Sequence, residues 1–196
     1  SSKDSPLVKK EYCDRIASKY GEDSDIYRVR VLGDFPKAEP DTLISLDRVE
    51  KAAIREIEPL LSYEIVELGV DVARFGDDET VIYSRIGNIV ILEAVLRKRD
   101  LMVVSGTVIQ TIKKFSHKFV YVNIDDTGMG GGVTDRVKEV IKQENLRAEV
   151  FGVNNGSKSE DESYVNLGTE MWFFMREKIQ ELKIPNDNDL IAQLSG

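Results

Sequence analysis

From residue 61 onward the apolar positions fall into short runs that alternate between two periods. Residues 64–73 form a mostly apolar run with one central acid, Asp71. Residues 80–85 and 89–97 form two more, separated by Gly87-Asn88, a dipeptide suited to a tight hairpin turn. With Phe75-Gly76-Asp77-Asp78 as turn material, these runs predict three consecutive antiparallel strands. The period then changes. Asp100 stands where it can cap a helix whose apolar positions Val104, Val108, Ile112 and Phe115 recur at helical spacing. Residues 119–124 read as a buried strand ending at Asp125, and residues 128–132 as a glycine-rich loop. A helix is predicted over 133–145, with Val133, Val137, Val140 and Ile141 on one face, then a strand over 147–153. A polar loop over 154–163 leads into a longer amphipathic helix, 164–182, on which Met171, Trp172, Phe173 and Phe174 read as core. Pro185 precedes an acidic loop, and 190–194 is apolar again.

Residues 1–60 read differently. Residues 8–20 fit a short helix stopped by Gly21. Tyr27, Val29 and Val31 alternate with Arg28 and Arg30, which predicts a short strand. Gly33, Pro36 and Pro40 punctuate a loop, and Ser45 can cap a helix running through Ile57. This segment has little core of its own and reads as a connector. Residues 61–196 are the main domain. Their order predicts an α/β fold with a mixed sheet, three antiparallel strands followed by parallel ones, and helices on both faces. This is the order of a ribonuclease H-like fold.

Composition narrows the picture. At 196 residues with 41% hydrophobic and 32% charged side chains, the chain can bury a core. With 35 acids against 27 bases the net charge is -8, which argues against a protein that coats DNA regardless of sequence. An enzyme meeting DNA through a local patch remains open, and Arg28, Arg30, Arg97, Lys98, Arg99, Lys113, Lys114 and Lys118 are cations from which one could be built. The single cysteine, Cys13, cannot form an internal disulfide, which points to a reducing compartment. The single histidine, His117, excludes zinc chemistry that needs two. The most apolar stretch, 89–96, is short and interrupted by Glu93, so it cannot span a membrane.

The chemistry left is that of carboxylates. An ionised Asp71 inside an apolar strand is expensive unless it is paired or binds a metal. It could equally be a strand-end acid bonded to a backbone amide. Asp125 again ends an apolar strand, and two central strands can bring such a pair side by side. Like charges at that range repel unless a divalent cation lies between them, and oxygen donors without histidine favour magnesium or manganese. The alternative is that Asp125-Asp126 only starts the following turn. The loop Thr127-Gly128-Met129-Gly130-Gly131-Gly132 lacks the lysine and hydroxyl residue of a nucleotide P-loop, which excludes that motif. Its glycines let the backbone pass close to a metal site or a nucleic-acid strand. Asp77 and Asp78, six and seven positions after Asp71, are turn formers with a smaller claim to a metal.

At these residues the chain resembles a known family. Gly69-Val70-Asp71-Val72-Ala73-Arg74, followed by Gly76 and Asp78-Glu79-Thr80, resembles the first acidic motif of the nuclease domain in large terminase subunits of tailed bacteriophages. Ile124-Asp125-Asp126-Thr127-Gly128-Met129-Gly130-Gly131-Gly132-Val133-Thr134-Asp135 resembles the second. Arg28-Val29-Arg30-Val31-Leu32-Gly33-Asp34-Phe35-Pro36 resembles the connector after the packaging ATPase, and Ile184-Pro185 through Leu190-Ile191-Ala192-Gln193-Leu194-Ser195 resembles a late segment of the nuclease domain. The resemblance implies a metal-dependent endonuclease that cuts concatemeric viral DNA during genome packaging, by a two-metal mechanism using Mg2+ or Mn2+. It implies Asp71 and Asp125 as catalytic metal ligands, with Asp78, Asp77 and Asp126 as further candidates. Implied partners are double-stranded DNA, the ATPase domain of the same full-length protein, the portal and the small terminase subunit, in the host cytoplasm. No ATPase motif precedes the connector, and the family's third acid is expected beyond Gly196, so the domain is expected to be C-terminally incomplete. The competing expectations are another ribonuclease H-like nuclease, such as a junction resolvase, and a non-catalytic portal or capsid docking module.

Overall fold

The computed structural model describes residues 42–58, 63–73, 79–128 and 130–195, together with positions 13, 14, 17, 18, 22, 27, 31 and 32. Asp77 and Asp78, Arg28 and Arg30, and the loop holding Gly33, Pro36 and Pro40 lie outside the described residues. The chain divides into two compact units, Ser1–Lys51 with Asn188–Gly196, and Ala52–Asp187.

In the first unit, Cys13, Tyr27 and Val31 are buried together, with Ala17 and Leu32 packed against them. Most of the segment expected as a strand, Tyr27 to Val31, lies outside the described residues; the described Tyr27, Val31 and Leu32 are helical. Residues four apart share a helix face just as residues two apart share a strand face, so burial of Tyr27 and Val31 in one cluster is compatible with either period. Helix α1 (Leu46–Ile54) has its first six residues in the first unit and the rest, with Arg55, in the second; it begins at Ser45, whose carbonyl accepts from the amides of Arg48 at 3.0 Å and Val49 at 3.2 Å. It buries Val49, Ala52 and Ala53 and stops short of Ile57. Just past its end, Arg55 donates to the carbonyls of Ile179, at 3.1 Å, and Leu182.

The second unit is built on a five-stranded sheet of β1 (Ile65–Asp71), β2 (Glu79–Ile86), β3 (Ile89–Arg97), β4 (Phe119–Asp125) and β5 (Ala148–Val153). The spatial order is β3-β2-β1-β4-β5. β1–β2 and β2–β3 are antiparallel, and β1–β4 and β4–β5 are parallel. This is the ribonuclease H-like mixed sheet. Helices α2 (Leu101–Lys114) and α3 (Gly130–Glu144) follow β3 and β4. As expected, Asp100 caps α2, its Oδ1 accepting from the Val103 amide at 2.8 Å.

Alternation decides which face of the sheet is core. Val66, Leu68 and Val70 of β1, with Val122 and Ile124 of β4, point towards Val104 and Val108 of α2 and Val133 and Val137 of α3, all in one buried cluster. Each such side chain contributes roughly 1.5–3 kcal/mol by leaving water. The opposite face carries Glu67 ion-paired to Arg85, and a row of rings in which Phe119 and Tyr121 lie 5.0 Å apart and Tyr121 and Phe151 6.2 Å apart.

Helix α4 (Leu167–Lys178) is shorter than the 164–182 expected, because Asn166 caps it, accepting from the Thr169 amide at 2.8 Å. Its aromatic run is not core. Met171, Trp172 and Phe174 are 44%, 46% and 64% exposed. Five consecutive apolar residues, 171–175, advance about 100° each around a helix, so they encircle it and some must face water. Burial resumes just after the helix at Ile179, Leu182 and Ile184, where Lys183 exchanges hydrogen bonds with the β2–β3 hairpin, accepting from the Val90 amide and donating to the Asn88 carbonyl, both at 2.8 Å. Helix α5 (Asn188–Ser195) belongs to the first unit. No helix among the described residues is long and apolar enough to cross a membrane.

Candidate metal centre

The two acids singled out by their place in apolar strands close β1 and β4. These strands run parallel, and Val70 lies opposite Ile124, so the next residues, Asp71 and Asp125, occupy neighbouring strand ends about 4.8 Å apart along the backbone. Val70 and Ile124 point into the core. Asp71 and Asp125, one residue on, therefore face the other way. Both line one cleft of about 400 Å³, together with Val72, Ala73, Glu79, Thr127 and residues 154–156. Its floor is the end of the sheet where β1, β4 and β5 finish and β2 begins.

The walls are set by local chemistry. The Thr127 amide donates to Asp125 Oδ1 at 2.9 Å, which fixes the carboxylate against the turn. Gly130, the first residue of α3, comes so near that a Cβ there would lie 1.8 Å from the Asp125 carbonyl oxygen; only glycine lets the helix start against that strand end. Gly128 has φ +87°, a conformation that favours glycine. On the far wall, Asn154 Oδ1 accepts from the Gly156 amide at 2.9 Å, and the loop is tied to α4 by Ser159 Oγ, which donates to Glu170 Oε2 at 2.7 Å. In the same loop the Ser163 amide at 2.8 Å holds the Asp161 carboxyl below its ordinary range.

Asp126 takes another direction. A Cβ on Gly152 of β5 would lie 2.8 Å from Asp126 Oδ2, and Thr134 Oγ1 donates to Asp126 Oδ1 at 3.3 Å, so this carboxylate is wedged between β5 and α3 and does not line the cleft. His117 is exposed in the turn between α2 and β4, at the opposite end of the sheet from the cleft. Glu79 stood in the first motif with no role read for it, and Asn154 and Asn155 only in a polar loop; they reach the cleft through sheet order and a loop, neither of which leaves a periodic signal. Among the described residues, no three His, Cys, Asp or Glu side chains come together as a ligand group.

Comparison of the whole structure with solved ones finds the same architecture in the nuclease domain of the large terminase subunit gp2 of bacterial virus Sf6. One such structure, a point mutant with manganese and beta-thujaplicinol, superposes with TM-score 0.57 at 12% identity over 78% of this chain and 80% of that one. The fold is that of the large-terminase nuclease domain. A second Sf6 mutant structure, with calcium, gives 0.55 at 13% identity over 78% and 81%, and the unmutated Sf6 domain gives 0.51 at 12% over 78% and 80%. No protein-family model matches the chain, and no curated protein matches it by sequence.

Proposed function

We propose that this chain is the nuclease part of a large terminase, a metal-dependent endodeoxyribonuclease that cuts concatemeric viral DNA during genome packaging. The observation that carries this reading is the pair Asp71 and Asp125, set on adjacent strand ends and opening into one cleft. The shared fold supports it, and so do the manganese and calcium named with the Sf6 domains. The donor set fits a hard cation, since among the described residues the cleft offers carboxylate, hydroxyl and amide oxygens and no histidine or thiol.

In this reading Asp71 and Asp125 hold two magnesium or manganese ions, with water and substrate phosphate completing the coordination. When bound, such ions supply an activated water for in-line attack and positive charge beside the leaving oxygen. The protein's own contribution is placement. The parallel strands keep the carboxylates adjacent, the Thr127 amide orients Asp125, and residues 154–156 wall the far side. Residues 1–60 are the connector from an ATPase domain in the full-length protein, which works with the portal and the small subunit in the host cytoplasm.

Nicking of supercoiled plasmid with magnesium, manganese or EDTA tests the proposal. Relaxation requires metal, and Asp71→Asn and Asp125→Asn each lower it on the order of 10³-fold, the kinetic equivalent of several kcal/mol of lost transition-state stabilisation, while thermal melts stay close to the parent. A strong preference for four-way junctions over linear duplex would point instead to a resolvase. No cleavage by the full-length protein with any divalent ion would leave a docking module.

A further inference from the structure

The cations that a DNA-facing patch could draw on do not stay together in the fold. Lys118 immediately precedes β4, and Lys113 and Lys114 end α2, so all three lie at the end of the sheet remote from Asp125, about 20 Å away along a seven-residue strand. Each is engaged there. Lys113 pairs with Glu144 at 2.6 Å, Lys114 with Glu93 at 2.7 Å, and Lys118 donates to the Tyr63 carbonyl. Arg97, Lys98 and Arg99 go to the other end. Arg97 closes β3 and stands in register with Glu79, the first residue of β2, two positions before Val81, which faces Asp71. Arg97 and Glu79 form an ion pair, and Glu79 lines the cleft. The basic connection is therefore continuous with the cleft rim.

We propose that Arg97-Lys98-Arg99 is a phosphate-binding subsite of the cleft that holds the DNA backbone beside the bond to be cut. The proposal rests on the nuclease reading above. Two strand spacings, about 10 Å, separate β3 from β1. That distance is comparable with the width of a DNA groove, about 6 Å for the minor and 12 Å for the major, so a duplex seated on Asp71 and Asp125 brings flanking phosphates to the connection. All three side chains belong to exposed residues. The one acid in the connection, Asp100, is committed to capping α2 and accepts from the Val103 amide, and the helix N-terminus behind it adds positive potential. Lys98 has φ +50°, rare for a residue other than glycine, asparagine or aspartate, and this turns the chain sharply from β3 into α2. In a chain of net charge -8, Lys98 and Arg99, next to the Arg97–Glu79 pair at the rim of an acidic cleft, offer phosphates a local counter-charge.

The test measures binding of a short labelled duplex over a range of KCl, with plasmid nicking in parallel. The variant is Lys98→Asn/Arg99→Gln, since asparagine tolerates the left-handed backbone. The control is Lys138→Ala/Lys142→Ala, which removes two exposed lysines of α3 further from the cleft. The subsite predicts that the slope of log K against log salt becomes shallower by about 1.8 in the variant, about 0.9 for each lost phosphate contact, with the control at the parental value. If the double variant melts early, Arg99→Gln alone carries the test, with an expected change of about 0.9. Parental slope and nicking in a folded variant would overturn the subsite and leave the nuclease reading standing. If the parent protein itself neither binds nor nicks DNA with magnesium or manganese, the nuclease reading fails and the subsite fails with it.

Discussion

Gly69 lies two residues before Asp71 on the same face of β1, opposite Tyr83 on one side and Asn123 on the other. No atom lies within 4 Å of the place its Cβ would take, and its φ is outside the left-handed range. Glycine inside a strand costs backbone entropy, so Gly69→Ala should raise stability by roughly 0.5–1 kcal/mol. A denaturant midpoint moved upward with unchanged m-value is the expected result, and a fall in the midpoint would mean the strand is closed over at that point. Gly130 presents the opposite case. Its Cβ would meet backbone, the Asp125 carbonyl oxygen at 1.8 Å and carbon at 2.8 Å, and backbone cannot swing aside as a side chain can. Gly130→Ala should destabilise by about 1–3 kcal/mol through overpacking and should depress nicking further, because the strand end that moves is the one carrying Asp125. A variant as stable and active as the parent would show that α3 can retreat without disturbing the carboxylate.

Elements place these residues, and one loop gives the clearest test. Ser159 is buried and joins Glu170 of α4 to the loop whose residues 154–156 wall the cleft. Ser159→Ala leaves Glu170 without that partner and costs about 1 kcal/mol. The expected signature is a raised KM for DNA with a smaller change in kcat, because a loosened wall weakens substrate placement before it touches the carboxylates. Loss of kcat alone would assign the loop a closer part in the chemistry. Strands β1, β2 and β4 and the helices α2 and α3 were legible in the sequence because each buries one face, and a buried face imprints its period on the chain, while β3, which buries no residue fully, was legible as an apolar run after the Gly87-Asn88 turn. Asp71 and Asp125 were legible for a related reason, as acids at the ends of runs that otherwise go to the core. Of the remaining cleft residues, Val72, Ala73, Glu79 and Thr127 stood inside the two quoted motifs with no role read for them, and residues 154–156 stood in a loop read only as polar. Glu79 starts β2 and Asn154 ends the strand–loop junction after β5, far apart in sequence, and they meet only because the sheet order sets β2 and β5 on either side of β1 and β4. The period itself misled twice. Tyr27 and Val31 satisfy both a strand and a helix, and the apolar run 171–175 is too dense to have a face at all.

For the molecule as a whole, charge decides how DNA can be held. The net charge is -8, and among the cations named above only Arg97, which pairs with Glu79, and Lys98 and Arg99 beside it stand at the cleft end within the described residues, while Lys113, Lys114 and Lys118 stand at the far end. A protein that neutralises Z phosphates shows a salt slope near -0.9Z, so three contacts correspond to a slope of about -2.7, far shallower than that of a dedicated DNA-binding protein. No base-reading motif is visible in the sequence, so affinity should also be nearly independent of base sequence. The chain alone is thus expected to bind duplex weakly, losing most of its affinity over a modest rise in salt, with random and cognate duplexes indistinguishable. Attachment to a motor that already grips DNA would supply the missing affinity as effective concentration rather than as new contacts at the cleft. Titrations of this chain and of a full-length protein on the same duplex separate the two contributions. A much lower Kd in the full-length protein, with a slope steeper only by the amount the motor domain shows alone, would fit tethering. A steep slope in the isolated chain would require a broader cationic footprint, and Arg28 and Arg30 would be the first residues to replace.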